Sequence, residues 1–226
     1  MALFDWLFDW FSKAAAPPPP PAPSEPTRIS QQSSPMEQPT RLFMACGDQR
    51  REGFLHVDAF ASSNPDVVHG IEQTPWPFEA DRFEEVVVNH LARVGQEIEQ
   101  QRRILAELYR VCAPAAAVTL QLPWIRHDSY WADPTHVRPY TPETFQLLSR
   151  SQSLALKAQG VAHTPLWELF GVDFEIVSIV QTYDPTWWAR VQSGAITREQ
   201  LREAAVLHWG VVRSWSVNLK AVKGGA

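Results

Sequence analysis

Between Arg41 and Leu219 the chain is divided into short apolar runs, several closing on a glycine or an acid, and this rhythm constrains the fold more than any other feature. Arg41-Leu-Phe-Met-Ala-Cys46 ends at Gly47, and Gly53-Phe-Leu-His-Val-Asp58 ends on a carboxylate. Asp66-Val-Val-His69 is shorter, and Phe83-Glu-Glu-Val-Val-Val-Asn89 is β-branched in its middle. A helical spacing follows, with Ile98, Ile104, Leu105, Leu108, Tyr109 and Cys112 recurring until Pro114 stops it. Ala117–Pro123, Phe174–Val180 and Val211–Leu219 bring the expected strands to seven. Short buried strands alternating with connectors argue for an α/β domain with a mostly parallel sheet covered by helices on both faces.

Two further helix starts are written locally. Thr141-Pro142-Glu143 puts a capping hydroxyl before a proline suited to the first turn. Thr197-Arg-Glu-Gln200 is a capping box.

Residues 1–39 have a different texture from the domain expected over 40–226. Leu3 to Phe11 repeats Leu-Phe-Asp-Trp with a period of four, so a helix over 1–16 carries a narrow stripe of Asp5, Asp9 and Ser12. Its apolar remainder includes Phe4, Trp6, Leu7, Phe8, Trp10 and Phe11. The run Pro17–Pro21 ends that helix, and 17–39 reads as a semi-extended Pro/Ser-rich linker. A helix this short is marginal alone, so these aromatics are expected to dock on a protein partner. Packing back on the same chain and binding a membrane are the alternatives; the acidic stripe weighs against anionic lipid.

Composition excludes some classes. A formal charge of −5 does not suit a chain built to coat nucleic acid. The two cysteines, Cys46 and Cys112, sit in apolar runs and read as buried free thiols of a reducing compartment. No run approaches the roughly 20 apolar residues of a membrane span. The first charged residue is Asp5, unlike the basic start of a signal peptide, so a cytoplasmic protein, or a component of a larger assembly such as a virion, is expected.

Ligands of open parallel sheets bind beyond the carboxyl ends of the strands. Gly47 there allows close backbone approach, and Asp58 can accept two hydrogen bonds from ribose hydroxyls. A tight turn and a solvated acid would give the same letters. The order of the pieces is more specific. Leu42-x-x-x-Cys46-Gly47, Glu52-Gly53-Phe54-x-x-Val57-Asp58, Pro75-Trp76-Pro77-Phe78 and Asp81-x-Phe83 occur in succession, followed by Glu107–Pro114 before the fifth strand. This string resembles the class I S-adenosylmethionine-dependent methyltransferases over about 180 residues. Trp124-x-Arg126-His127-Asp128 and Asp133–Tyr140 are similar to a subgroup of small bacterial and phage-type members.

The resemblance implies a Rossmann-like seven-stranded sheet, six strands parallel and one antiparallel, with S-adenosylmethionine over its first half. Ala45, Cys46 and Gly47 would pass beneath the methionine portion, Asp58 would hold the ribose, and Gly70-Ile71-Glu72 would lie near adenine. Asn89 and His90 would face the methyl donor. Three positions depart from the family pattern: Ala45 stands for the first glycine, Gly70 for an acid, and Ala115-Ala116 for a glycine pair.

Methyl transfer needs alignment and, for some acceptors, a base. His90, His127, Asp128, Asp133 and His136 are candidates, and Arg126, Trp131, Arg138 and Tyr140 are candidates for the acceptor pocket. No metal is expected, since no helix-spaced ligand pair or Cys partner accompanies the His and Asp residues. Asn89-His90-Leu91-Ala92 lacks the Asn-Pro-Pro-aromatic motif of DNA amine methylation, and no Pro-Cys follows a strand. A small molecule or a polymer end is left as acceptor. The competing expectation is a methyltransferase-like fold used for assembly without catalysis.

Overall fold

The computed structural model describes residues 39–93 and 95–224. The expected docking helix 1–16, and the linker 17–39 except its last residue, lie outside the described residues. The strands are β1 (Arg41–Met44), β2 (Leu55–Asp58), β3 (Val67–Val68), β4 (Phe83–Val88), β5 (Cys112–Pro123), β6 (Phe174–Tyr183) and β7 (Val212–Ala221). They form one sheet in the order β3-β2-β1-β4-β5-β7-β6. The first five pair in parallel, while β7 lies between β5 and β6 and runs antiparallel to both. Each expected strand is present. The sheet reverses order at β1/β4, the kind of switch point that leaves a crevice at the strand ends.

The start of β5 differs from expectation. Pro114 removes a helical donor, but Cys112 already pairs with Phe83, five residues before Ala117. The register then shifts between Phe83 and Glu85, and Ala115 takes φ +65° within the irregularity. An extra length of chain is looped out there, as in a bulge.

The helices are α1 (Ile98–Val111), α2 (Asp128–Trp131), α3 (Pro142–Leu147), α4 (Arg150–Ala158), α5 (Leu166–Phe170), α6 (Pro185–Gln192) and α7 (Arg198–Leu207). Helix α1 buries Ile104, Leu105 and Leu108 of the expected stripe together with Val111, while Ile98 is exposed and Tyr109 half-buried. The capping box of α7 forms reciprocally: the Gln200 N–H donates to Thr197 Oγ1 at 3.1 Å, and the Thr197 N–H to Gln200 Oε1 at 2.8 Å.

Alternation along the strands sorts side chains between the faces. Leu42, Val57, Val86, Leu120 and Val217 join the main core with side chains from α1, α3 and α5. On the opposite face Phe43, Cys46 and Val87 form a small cluster with Phe54 against it. Farther across that face Thr119 donates to Asn218, which donates in turn to Ser178. Among the described residues no helical side chain joins the small cluster. The link from β1 to β2 has no helix, which leaves its backbone free to shape a ligand cleft.

Candidate functional site

Beyond the carboxyl ends of β1, β2 and β3 lies a cleft of about 380 Å³, lined in part by Ala45, Gly47, Asp58, Ile71, Glu72 and His90. Its floor is the turn after β1, where Ala45 and Gly47 both have positive φ, +53° and +54°. Asp58 is 6% exposed and holds two loops at once. Its Oδ2 accepts the Gly47 N–H at 2.8 Å and its Oδ1 accepts the Phe60 N–H at 3.0 Å. Arg50 closes the same turn, donating to the carbonyls of Gly47 at 2.9 Å and Asn64 at 2.8 Å, and to that of Ser63. Behind it, His56 Nε2 accepts the Arg51 N–H at 2.8 Å, so Nδ1 carries the ring proton and donates to Asp66 at 3.0 Å. The backbone N–H of His56, followed by the His56 ring, holds the Asp66 carboxyl below the usual range.

A second cleft of about 290 Å³ opens where β4 and β5 end and β7 begins. Asn89, His90, Arg93, His136, Arg213 and Ser214 lie in its wall, and His90 and Arg93 also line the first cleft. His90 occupies φ +59°, a left-handed conformation uncommon outside glycine, and this turns the chain sharply between the clefts. Desolvation, then the charges of Arg93 and His136, lower its pKa from 6.5, against smaller opposing effects of Asp58 and Asp133. The neutral imidazole is therefore favoured, although the side chain reaches solvent at the cleft mouth.

Arg93 pairs with Asp133 at 2.7 Å. Hydrogen bonds from the Thr135 hydroxyl and N–H, and then Arg93, hold that carboxyl down at about 2. The N–H groups of Val137 and Arg138 both donate to the Ala92 carbonyl, at 2.9 and 3.0 Å, and fasten residues 133–138 over the His90 turn. His136 stacks on Tyr130 with ring centroids 5.1 Å apart, and its Nδ1 lies 2.8 Å from the Tyr130 carbonyl. Since a carbonyl only accepts, Nδ1 donates, and Nε2 is the acceptor of the neutral ring. Asn89 is 4% exposed, and its Oδ1 is buried without a hydrogen-bond partner.

The structure thus brings Ala45, Gly47, Asp58, Ile71, Asn89, His90 and His136 to the two clefts. Cys46 is buried in the small cluster on the other face, where desolvation raises its thiol pKa. His127 and Asp128 do not line either cleft. His127 Nε2 lies 3.3 Å from Asp184 Oδ2 and its Nδ1 2.7 Å from the Ser129 hydroxyl, while Asp128 accepts the Trp209 indole N–H at 2.9 Å. Arg126 donates to the Val206 carbonyl, and Arg138 to those of Gly95 and Gln96. Trp131 is 62% exposed, with its indole N–H on Ile125 O. Tyr140 is buried in the core on Gln101, its phenol pushed up to about 12 by burial.

Sequence reasoning missed Arg93 and Arg213. Arg93 lies four residues beyond the buried Asn89, close enough after a strand to be sought. Arg213 lies at the start of an antiparallel strand, whose amino end reaches the edge where its parallel neighbours finish.

No protein-family model matches the chain, and no curated protein matches it. Solved structures resemble it at low identity. A SAM-dependent methyltransferase from Archaeoglobus fulgidus is similar over 80% of this chain and 85% of its own, at 14% identity and TM-score 0.48. Geranyl diphosphate C-methyltransferase from Streptomyces coelicolor is similar over 80% and 69%, at 13% identity and TM-score 0.44. A SAM-dependent methyltransferase from Methanosarcina mazei is similar over 80% and 91%, at 12% identity and TM-score 0.42. The fold itself rests on topology: β7 inserted antiparallel in the order 3-2-1-4-5-7-6 gives the Rossmann-like sheet, six strands one way and one the other.

Proposed function

We propose that this chain is an S-adenosylmethionine-dependent methyltransferase whose acceptor is a small molecule or the end of a polymer. The observation that carries this reading is the pair of clefts joined at His90, one floored by a glycine turn and a strand-end carboxylate, the other lined by His, Arg and Asn. The residues of the first cleft fit the cofactor. A Cβ at Gly47 would meet nothing within 4 Å, so the turn opens directly onto free space. Each oxygen of Asp58 takes one backbone N–H and keeps a second lone pair for a ribose hydroxyl. Ile71 offers an apolar wall and Glu72 an acceptor on the turn after β3.

When bound, S-adenosylmethionine supplies an electrophilic methyl group that leaves a neutral thioether. The protein aligns the acceptor and removes its proton. His90, favoured in its neutral form, takes that proton, with His136 in the same wall as the second candidate. Asp133 holds Arg93 in place.

Thermal unfolding with S-adenosylmethionine and S-adenosylhomocysteine tests the reading. Ligand at 100 times its dissociation constant stabilises by about 2.7 kcal/mol. An unchanged midpoint at millimolar ligand would overturn it and favour an assembly role without catalysis. The proposal that residues 1–16 dock a protein partner rests on their sequence alone. It predicts that deleting them abolishes partner association while binding of S-adenosylhomocysteine persists.

A further inference from the structure

Arg213 stands out among the described charges for where it lies. Its side chain makes no hydrogen bond, ion pair or ring contact among the described residues, yet it lies in the wall of the second cleft. An exposed arginine ordinarily needs no partner. Its neighbours are what distinguish this one.

Arg93 and the imidazoles of His90 and His136 share the wall, and no carboxylate lines it. The nearby acid, Asp133, is committed to Arg93 and to its own hydrogen bonds with Thr135. In a protein with a formal charge of −5 the cleft wall therefore holds one guanidinium, that of Arg213, which no lining carboxylate offsets. Between the charges, Leu122 and Pro123 give the cleft an apolar side. Asn89 belongs to the same wall, and its Oδ1 is buried and lacks a donor. A buried acceptor left unpaired is costly, and a ligand that brings an N–H or O–H relieves it.

We infer that the second cleft takes a small oxyanion-bearing acceptor, a carboxylate or a phosphate ester, whose anionic group sits on Arg213. Its hydroxyl or amine donates to Asn89 Oδ1 beside His90. This rests on the methyltransferase reading and names the substrate class for it. Arginine's planar fork suits either oxyanion in bidentate fashion. The size of the cleft, about 290 Å³, lies near the lower end for small-molecule sites and suits a compact ligand. The anion also opposes the charge that would otherwise accumulate where a cationic methyl donor meets the unpaired Arg213.

The test is direct binding, followed by amide chemical shifts of the full chain with and without saturating S-adenosylhomocysteine. The probes are 4-hydroxybenzoate, 4-hydroxyphenyl phosphate and the uncharged 4-hydroxybenzamide. The expected result is a shift at Asn89 and Ser214 with at least one anion, and at least tenfold weaker binding of the benzamide. Arg213→Gln should weaken anion binding tenfold or more, and Arg213→Lys should restore part of it. Comparing the two anions distinguishes a carboxylate site from a phosphate site. If neither anion binds better than the amide, or Arg213→Gln changes nothing, the inference is overturned. Failure of S-adenosylhomocysteine to bind, with anion binding through Arg213 intact, would instead overturn the methyltransferase reading.

Discussion

Ala45 holds φ at +53°, where its Cβ crowds the following carbonyl oxygen at a cost of roughly 1–2 kcal/mol. Glycine removes that strain but restores freedom to the unfolded chain, worth about 0.4–1 kcal/mol. Ala45→Gly should therefore gain about 0.5–1 kcal/mol in denaturant unfolding. It should also tighten S-adenosylhomocysteine, because the methyl stands on the cleft wall. Ala115, at φ +65°, is the control: its glycine variant should gain similar stability without changing ligand affinity, since it does not line the cleft. His90 gives the second prediction at this scale. A base works when neutral, so activity should rise with pH and level off with an apparent pKa below 6.5. His90→Gln should lower kcat by about 100-fold and remove that limb of the pH profile. A profile that keeps the limb in His90→Gln would transfer the role to His136.

Between elements, the clamp of α1 on the loop before β4 governs the shape of the first cleft. Arg110 donates to the Phe78 and Trp76 carbonyls at 2.8 and 3.1 Å, and Glu107 accepts the Trp76 N–H at 2.7 Å while pairing with Arg110 at 2.8 Å. Trp76 donates its indole N–H to Ile71 O at 2.9 Å, so the clamp extends to the cleft wall. Arg110→Met should cost about 2 kcal/mol, the scale of charge-assisted hydrogen bonds, and weaken S-adenosylhomocysteine binding as Ile71 loosens. Burial raises the Glu107 pKa, but Arg110 and the Trp76 N–H outweigh it and bring the net value below 4.5. Its contribution is therefore present above pH 4.5 and lost as pH falls through the lower folded pKa, a limb that acid titration of Arg110→Met should move upward. The helix and strands of this region were legible because their spacing is local, as Ile104 to Val111 and Val86 to Val88 illustrate. The clamp was not, since Glu107 and Arg110 meet Trp76 across about thirty residues and only the fold joins them. The same reason separates Asp58 from Arg138. The carboxylate ends a strand, and strand ends converge on a parallel sheet's crevice. Arg138 lies in a polar loop whose direction was decided by a distant carbonyl, that of Ala92.

Across the whole molecule, stability is expected to be uneven in a way that serves binding. The β4, β5 and β7 strands pair along most of their length and share the main core with α1. The β1–β3 half has strands of four, four and two residues, joined by links in which no α-helix forms. Local opening free energies follow such differences in burial and pairing. The loops over residues 45–50, 59–66 and 69–73 are held mainly by Arg50, Asp58, Asp66 and Gln73 hydrogen bonds, so they should open well below the global unfolding free energy. A ligand that binds only the closed form slows exchange wherever opening destroys its site. Hydrogen exchange of the full chain with saturating S-adenosylhomocysteine should accordingly slow amides in residues 45–72 and 90–93 several-fold. Amides of α1 and β5 that open only by global unfolding should slow as well, by the factor set by ligand affinity, while those that open locally outside the site should not change. Slowing limited to the second cleft, with residues 45–72 unaffected, would place the nucleoside elsewhere and remove Asp58 from its role.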